Sequence, residues 1–365
     1  MSHKSNSLRG LALQKFKKNF WGVFSFCFII FVGFIAVFAY LFAPDNTQHA
    51  NQMHLAIHSK KPGFSIDMLT IPSDRKEEQG GVDAMLFGKK NTNTEVPISD
   101  FSVEDGVLSY QEYAADGIEG AEKTIELSLF PNQSVEGFIV ERTFLFGTDK
   151  YGRDLLSRVL VGARISFFIG FVAVFISLLI GLLMGSAAGY FGGKVDAVIM
   201  WVINVTWSIP TLLLVIAITL ALGKGFWQVF IAVGLTMWVE VARIVRGQII
   251  STKEMQYVTA ARALGYTDYR IIVKHILPNI MAPLIVISAA NFAAAILIES
   301  GLSFLGIGAQ PPMASWGAMI KDHYNYIILG KPYLAIIPGL CIMSLVMAFM
   351  LIGNALRDAL DVKNY

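Results

Sequence analysis

The run Glu254-Met-Gln-Tyr-Val-Thr-Ala-Ala-Arg-Ala-Leu-Gly265-Tyr-Thr-Asp-Tyr-Arg-Ile-Ile-Val-Lys-His-Ile-Leu-Pro278 is a polar interruption between two long apolar segments. It reads as two short helices with a break at Gly265. Ala261, Arg262 and Leu264 are strong helix formers. Gly265 suits the position just past a helix, where a left-handed backbone costs glycine nothing. Thr267 or Asp268 can cap the second helix. Pro278 must bend or end it, because proline lacks an N–H and crowds the carbonyl four residues back. Ala260, Ala261 and Ala263 make part of the first helix small-faced. Two readings fit this pattern. The pair either lies on a membrane surface or inserts its tip into a groove of another protein.

The flanks decide what kind of chain this is. Hydrophobic residues make up 55% of the sequence and charged residues 15%, against roughly a quarter charged in soluble domains. The apolar residues are clustered, so the chain is an integral membrane protein. The net charge of +2 says little; the placement of the charges says more. Cys27 and Cys341 each lie in an apolar run without ligand-like spacing and read as small hydrophobes.

Residues 1–18 form a basic tail with Lys4, Arg9, Lys15, Lys17 and Lys18 and no acid. The first span, within 19–43, is charge-free and long enough to cross a core of ~30 Å. It is too long for a signal peptide and reads as uncleaved. Further spans are expected at 165–193, at 197–223 with a kink at Pro210, at 226–242, at 279–298 with a kink at Pro283, and at 332–356. Gly181, Gly185 and Gly189 recur every fourth residue, which allows close helix packing. The stretch 243–278 carries Arg243, Arg246, Lys253, Arg262, Arg270 and Lys274, whereas the turn at 223–225 carries only Lys224. The positive-inside bias and six spans then agree: the 243–278 loop and both termini, including Arg357 and Lys363, are cytoplasmic.

Residues 44–145 differ in character. Phe64–Ile71, 107–113 and 124–130 alternate in part between turn signals such as Asp-Gly, which argues for short strands and a small β-rich insert outside the membrane. His49, His54 and His58 are spaced irregularly and read as solvated. Asn132-Gln-Ser134 matches a glycosylation acceptor, relevant only to a eukaryotic secretory setting. Residues 146–164 put Leu155, Leu156, Val159 and Leu160 on one helical face, with Arg153, Asp154, Ser157 and Arg158 mostly on the other. An interfacial amphipathic helix is expected there.

The chemistry is sparse. Glu240 and Glu299 read as span-end residues paired with a nearby Arg or with water. Asn204, Thr206 and Asn291 read as interhelical hydrogen-bonding groups. A proton-coupled carrier would need ionisable groups inside its spans. Gly193-Lys194 is not a phosphate loop, since Val195 follows and Ala188 replaces the leading glycine. No catalytic constellation, metal site or cofactor site is expected. A secondary transporter would need midplane charges or inverted repeats. A membrane-anchored sensor would not explain five further spans.

The pattern Thr259-Ala-Ala-x3-Gly265-x9-His275-x-Leu277-Pro278 resembles the EAA loop of ABC importer permeases, with Thr259 in place of Glu and His275 in place of Ile. Tyr257-Val-Thr-Ala-Ala-Arg-Ala-Leu-Gly265 and His275-Ile-Leu-Pro-Asn279 resemble the oligopeptide/dipeptide (and nickel) permease branch. So do Gly147-Thr-Asp-x-x-Gly-Arg-Asp154, Gly192-Gly-Lys-Val-Asp196, Leu302-Ser-Phe-Leu-Gly306 with Ala309-Gln-Pro-Pro312, and Leu356-Arg-Asp-Ala-Leu-Asp361. The C-type subunit is the nearer match. The resemblance implies an all-α polytopic membrane protein of the type I ABC importer permease fold. Its six transmembrane helices would include five in a core domain at 165–365, and it leaves 44–145 uncovered. It implies a bacterial inner-membrane permease for di- or oligopeptides, or in the same machinery nickel or a sugar. Expected partners are a second homologous permease, two ABC ATPases that bind ATP and magnesium, an extracytoplasmic substrate-binding protein and membrane lipid, with no nucleic acid. By that resemblance Tyr257, Thr259, Ala260, Ala261, Arg262, Ala263, Leu264, Gly265, His275, Leu277 and Pro278 couple the permease to the ATPase.

Overall fold

The computed structural model describes residues 8–72, 81–90, 93–114, 118–131, 134–223 and 225–360. Lys4, Asn132, Lys224 and Lys363 lie outside the described residues. The helices are α1 (Leu8–Lys18), α2 (Phe20–Val37), α3 (Ala39–Phe42), α4 (Val82–Phe87), α5 (Leu155–Phe191), α6 (Gly193–Trp207), α7 (Thr211–Leu222), α8 (Phe226–Lys253), α9 (Gln256–Ala263), α10 (Asp268–Arg270), α11 (Met281–Phe304), α12 (Trp316–His323) and α13 (Tyr333–Leu360). Among the described residues five helices, α2, α5, α8, α11 and α13, are long and apolar enough to cross a membrane. The pair α6 and α7 passes the same test together but bends by 92°, giving six spans if the pair is one.

Several boundaries differ from expectation for physical reasons. Pro210 does more than kink a helix: α6 ends at Trp207, and Pro210 is the extended residue before α7. Pro283 makes no kink, because it falls in the first turn of α11, where its missing N–H leaves no bond unmade. Pro338 lies inside α13 instead. Residues 155–164 form no separate surface helix. They are the opening turns of the 37-residue α5, with Asp154 as cap, its Oδ2 accepting from Ser157 N at 2.9 Å. Their polar face is buried rather than wet: Ser157 and Arg158 are both buried.

Two compact units divide the chain. One comprises Phe34–Ile165 and Pro311–Leu340. Its centre is an antiparallel sheet of β1 (Phe64–Ile71), β2 (Thr94–Glu104), β3 (Val107–Glu112), β4 (Glu122–Glu126) and β5 (Ile139–Phe144) in the order β4-β3-β2-β1-β5. Asp105 and Gly106 have φ of 49° and 77°, so the β2–β3 hairpin closes in two residues with an Asp-Gly turn whose twist matches the strands. The strand expected at 124–130 stops at Glu126 and passes into a 3-10 turn, Leu127–Leu129. One apolar cluster holds Leu69, Ile98, Leu108, Tyr110, Leu127 and Phe130, and another holds Ile57, Ile66, Met68 and Phe144.

Asp149 ties this unit together. Its carboxylate accepts from Tyr151 N at 2.8 Å and Arg153 N at 3.0 Å, and it pairs with Arg153 Nη2 at 2.6 Å. Lys150 pairs with Asp322 at 3.0 Å, and Trp316 Nε1 donates to Val159 O at 2.9 Å. The Gly147–Asp154 motif is therefore a folded polar knot. His54 is buried beside Glu95 rather than solvated, while His58 is exposed.

The other unit comprises Met1–Gly33, Ser166–Gln310 and Cys341–Tyr365. Here the three glycines of α5 meet α8. A Cβ on Gly181 would stand 2.5 Å from Val241, one on Gly185 2.5 Å from Ala242 O, and one on Gly189 2.9 Å from Arg246 O. Phe292 and Phe349 stack at 3.9 Å, joining α11 to α13. Glu299, expected at an outer span end, lies buried within α11, its Oε1 accepting from Ser303 Oγ at 2.6 Å.

Two outcomes are expected. Gly185→Val should force α5 off α8 and lower the thermal midpoint of the detergent-purified protein, an overpacking loss of about 1–3 kcal/mol. Gly247→Ala, with nothing within 4 Å of the added carbon, should not. Equal midpoints would refute the packing role.

The second outcome concerns His323. This side chain is buried, its Nδ1 contacts Met319 O at 2.7 Å, and its Nε2 accepts from Lys150 N at 3.4 Å. Since Lys150 N can only donate, Nδ1 carries the proton and the ring is neutral. Burial holds its pKa below 6.5. The unfolded chain binds a proton below that value, so this stability is present above pH 6.5 and is lost as pH falls. Amide protection at 149–153, corrected for intrinsic rates, should drop between about pH 7.5 and about pH 5.5. Constant protection would exclude it.

Candidate coupling site

The loop that follows α8 is built as predicted at its hinge. α9 ends in a Schellman turn: Tyr266 N donates to Ala261 O at 3.2 Å and Gly265 N to Arg262 O at 3.0 Å. Gly265 has φ +77°. Thr267 is the cap of α10 but makes no side-chain capping bond, and Asp268 accepts instead from Tyr190 Oη at 2.6 Å. Beyond α10 the chain passes through a π-helical stretch, Ile271–Ile276, and a 3-10 turn, Leu277–Asn279, before α11. Pro278 supplies the reason: it can neither donate an α-helical bond nor tolerate the carbonyl four residues back.

One face of this loop belongs to the core. Val258, Ala261, Ile271, Ile276, Ile280 and Leu284 form one buried cluster with Tyr190, Val241, Val245 and Ile249. Burying each large aliphatic chain is worth about 1.5–3 kcal/mol, whereas an exposed ion pair gives about 0–1. Apolar packing therefore fixes the loop, and its charges adjust it.

Polar contacts add direction. Arg246 grips Asp196 with two bonds, Nε–Oδ1 at 2.5 Å and Nη2–Oδ2 at 2.6 Å. Lys253 Nζ donates to Gly189 O at 3.2 Å. The Tyr266 ring stacks on His275 at 5.6 Å and carries Arg270 at 4.1 Å.

The expected residues thus separate by side. Ala261 is only 4% exposed, so it packs inward and is not part of an outward small face. Leu277 is half-buried against the same cluster, and His275 is held in the Tyr266 stack. Pro278, Gly265, Arg262 and Ala263 are exposed, as are Tyr257, Thr259, Ala260 and Leu264. Thr259 brings no carboxylate, and its hydroxyl reaches Met255 O only at 3.5 Å. Leu264 and Tyr269 are 71% and 77% exposed. Sequence reasoning named neither Tyr190, Tyr266 nor Tyr269 for this site, and Asp268 only as a cap. For Tyr266 and Tyr269 the signal was the aromatic frequency of 266–269 in a polar loop. Among the described residues no group of three or more His, Cys, Asp or Glu could hold a metal ion.

The sequence family described as binding-protein-dependent transport system inner membrane component matches residues 162–363, more than half of the chain. The chain belongs to this family. A second family, the N-terminal TM domain of oligopeptide transport permease C, matches residues 7–62 of the permease. The permease is 44% identical over 218 residues to the dipeptide transport system permease protein DppC of Bacillus subtilis, covering 60% of this chain and 68% of that one. It is 41% identical over 225 residues to the oligopeptide transport system permease protein OppC of Escherichia coli K12, covering 62% and 74%. A solved chain of the MetNI methionine ABC transporter aligns with TM-score 0.46 at 18% identity, over 55% of the permease and 95% of that chain. The permease is thus a membrane component of an ABC importer, a class that works with ATPase and binding-protein partners.

Gly265→Ala should strain the turn without a clash, since nothing lies within 4 Å. A local cost of about 1 kcal/mol is expected, read as amide exchange about fivefold faster at 256–266. Unchanged exchange there would refute the turn's role.

Proposed function

We propose that the permease carries di- or oligopeptides inward and that α9 is the helix through which ATPase motion enters it. The observation that carries this reading is the two-sided loop. Its inner face is locked to α5, α8 and α11, while Tyr257, Leu264 and Tyr269 remain exposed. Large apolar groups on an otherwise polar loop favour a protein partner. The cations from Arg243 to Lys274 favour the cytoplasmic side, with both termini there too. The relatives' names support peptides as cargo.

In this reading a second permease completes the pathway, two ATPases bind ATP and magnesium, and a receptor delivers cargo. This chain does no catalysis of its own. Closure of the ATPases moves the docked loop as a rigid body, and the spans change the side to which they open. Tyr257, Thr259, Ala260, Arg262, Ala263 and Leu264 offer the contact. Ala261, His275, Leu277 and Pro278 hold its shape.

Leu264→Glu and Tyr269→Glu should leave the permease folded but weaken ATPase retention on purification at least about tenfold, the loss of one interface hot spot. Peptide uptake should fall with it. Ala261→Trp, by contrast, should disrupt the loop itself. Full retention and uptake by both surface variants would overturn the docking assignment.

A further inference from the structure

At the elbow between α6 and α7 lies a partly open cavity of about 190 Å³. Thr206, Trp207, Thr211, Leu214, Met237 and Glu240 line it. Whole small-molecule sites run to about 300–1,000 Å³, so this cavity accommodates one residue of a longer ligand. Glu240 is exposed at the midpoint of the 28-residue α8. Arg243, about one turn on, is already engaged. Its guanidinium lies 3.6 Å from the Trp207 ring centroid and donates to Asn204 Oδ1 at 3.4 Å. A carboxylate on the exposed side of a spanning helix is costly against hydrocarbon. This face therefore meets water or protein.

We propose that the elbow cavity is a water-accessible subsite for the free ammonium terminus of a passing peptide, with Glu240 as its acceptor. This rests on the peptide reading above. Glu240 is the one carboxylate in the lining. The Thr206 hydroxyl donates to Val202 O at 2.9 Å, which leaves its lone pairs to accept a second hydrogen bond. Thr211 adds another hydroxyl at the exposed start of α7.

The test uses the complex of this chain with its partner permease, ATPases and receptor in proteoliposomes. The chain carries Thr211→Cys in a Cys27→Ala, Cys341→Ala background. A cationic methanethiosulfonate should modify the introduced thiol at least about tenfold faster than an anionic one of similar size, as expected for a cleft of one sign. Glu240→Gln should erase that preference. A free-amine dipeptide should slow the reaction, and its N-acetyl counterpart should not. A thiol inert to both reagents would mean lipid or the partner permease covers the face, and would overturn the proposal. Equal rates with Glu240 present, or equal protection by both peptides, would also overturn it. A complex lacking these substitutions that shows no peptide-stimulated ATP hydrolysis would remove the peptide reading, and this assignment with it. Stimulation without charge preference would remove the subsite alone.

Discussion

Three glycines spaced by four bring α5 against α8 closer than any side chain permits. At Gly181, Gly185 and Gly189 even a methyl group would press on Val241, the backbone of Ala242, or Arg246. In a bilayer, apolar surface gains nothing by leaving lipid for another helix, so close van der Waals contact has to supply the cohesion. The glycine face does this along the half of α8 that leads into the 254–278 loop. The Lys253 bond to Gly189 O extends the same seam to the end of the helix, and the bidentate Arg246–Asp196 pair ties α8 to α6.

The seam also shows how the loop is held. Val241, Val245 and Ile249 face the glycines and also belong to the cluster that buries Val258, Ala261, Ile271 and Ile276. The loop is thus continuous with the span packing and not a tether hanging from it. A displacement applied to α9 reaches α5, α8 and α11 through packed side chains, which tilt or stay put but do not compress. A flexible linker would absorb the same displacement. The Schellman turn at Gly265 and the π stretch before Pro278 are irregular backbone, yet both are braced, by Tyr266 on one side and by Ile271 and Ile276 on the other.

Much of this was readable in the chain because local rules were obeyed. Gly265 is where a helix ends, the four-residue glycine repeat is a packing face, and Asp105-Gly106 is a hairpin turn. What failed did so for identifiable reasons. The strands at Thr94–Glu104 and Ile139–Phe144 escaped notice because Pro97 and scattered charges blur the alternation of the first, and the second is a short edge strand. Residues 155–164 looked amphipathic, but a polar helical face can be satisfied by buried partners as well as by water. Asp45 N donates to Ser157 Oγ at 2.8 Å. Ala261 looked like part of a partner-facing surface because small size does not reveal which way a residue points. The exposed apolar residues, Leu264 and Tyr269, were the better indicators.

The distribution of buried charge carries the last inference about how the chain divides its work. Asp149, Arg153 and Arg158 are buried with multiple partners, at distances of 2.6 and 3.8 Å for the two ion pairs. Such a network fixes one arrangement to the extent that its donors and acceptors are met; here Arg158 Nε stands 3.8 Å from Asp149 and makes no hydrogen bond. The spans, by contrast, rely on glycine contacts and aromatic stacking. A transporter needs both behaviours: segments that hold a single geometry and segments that repack between states of similar energy. In this chain the polar knot has the first property.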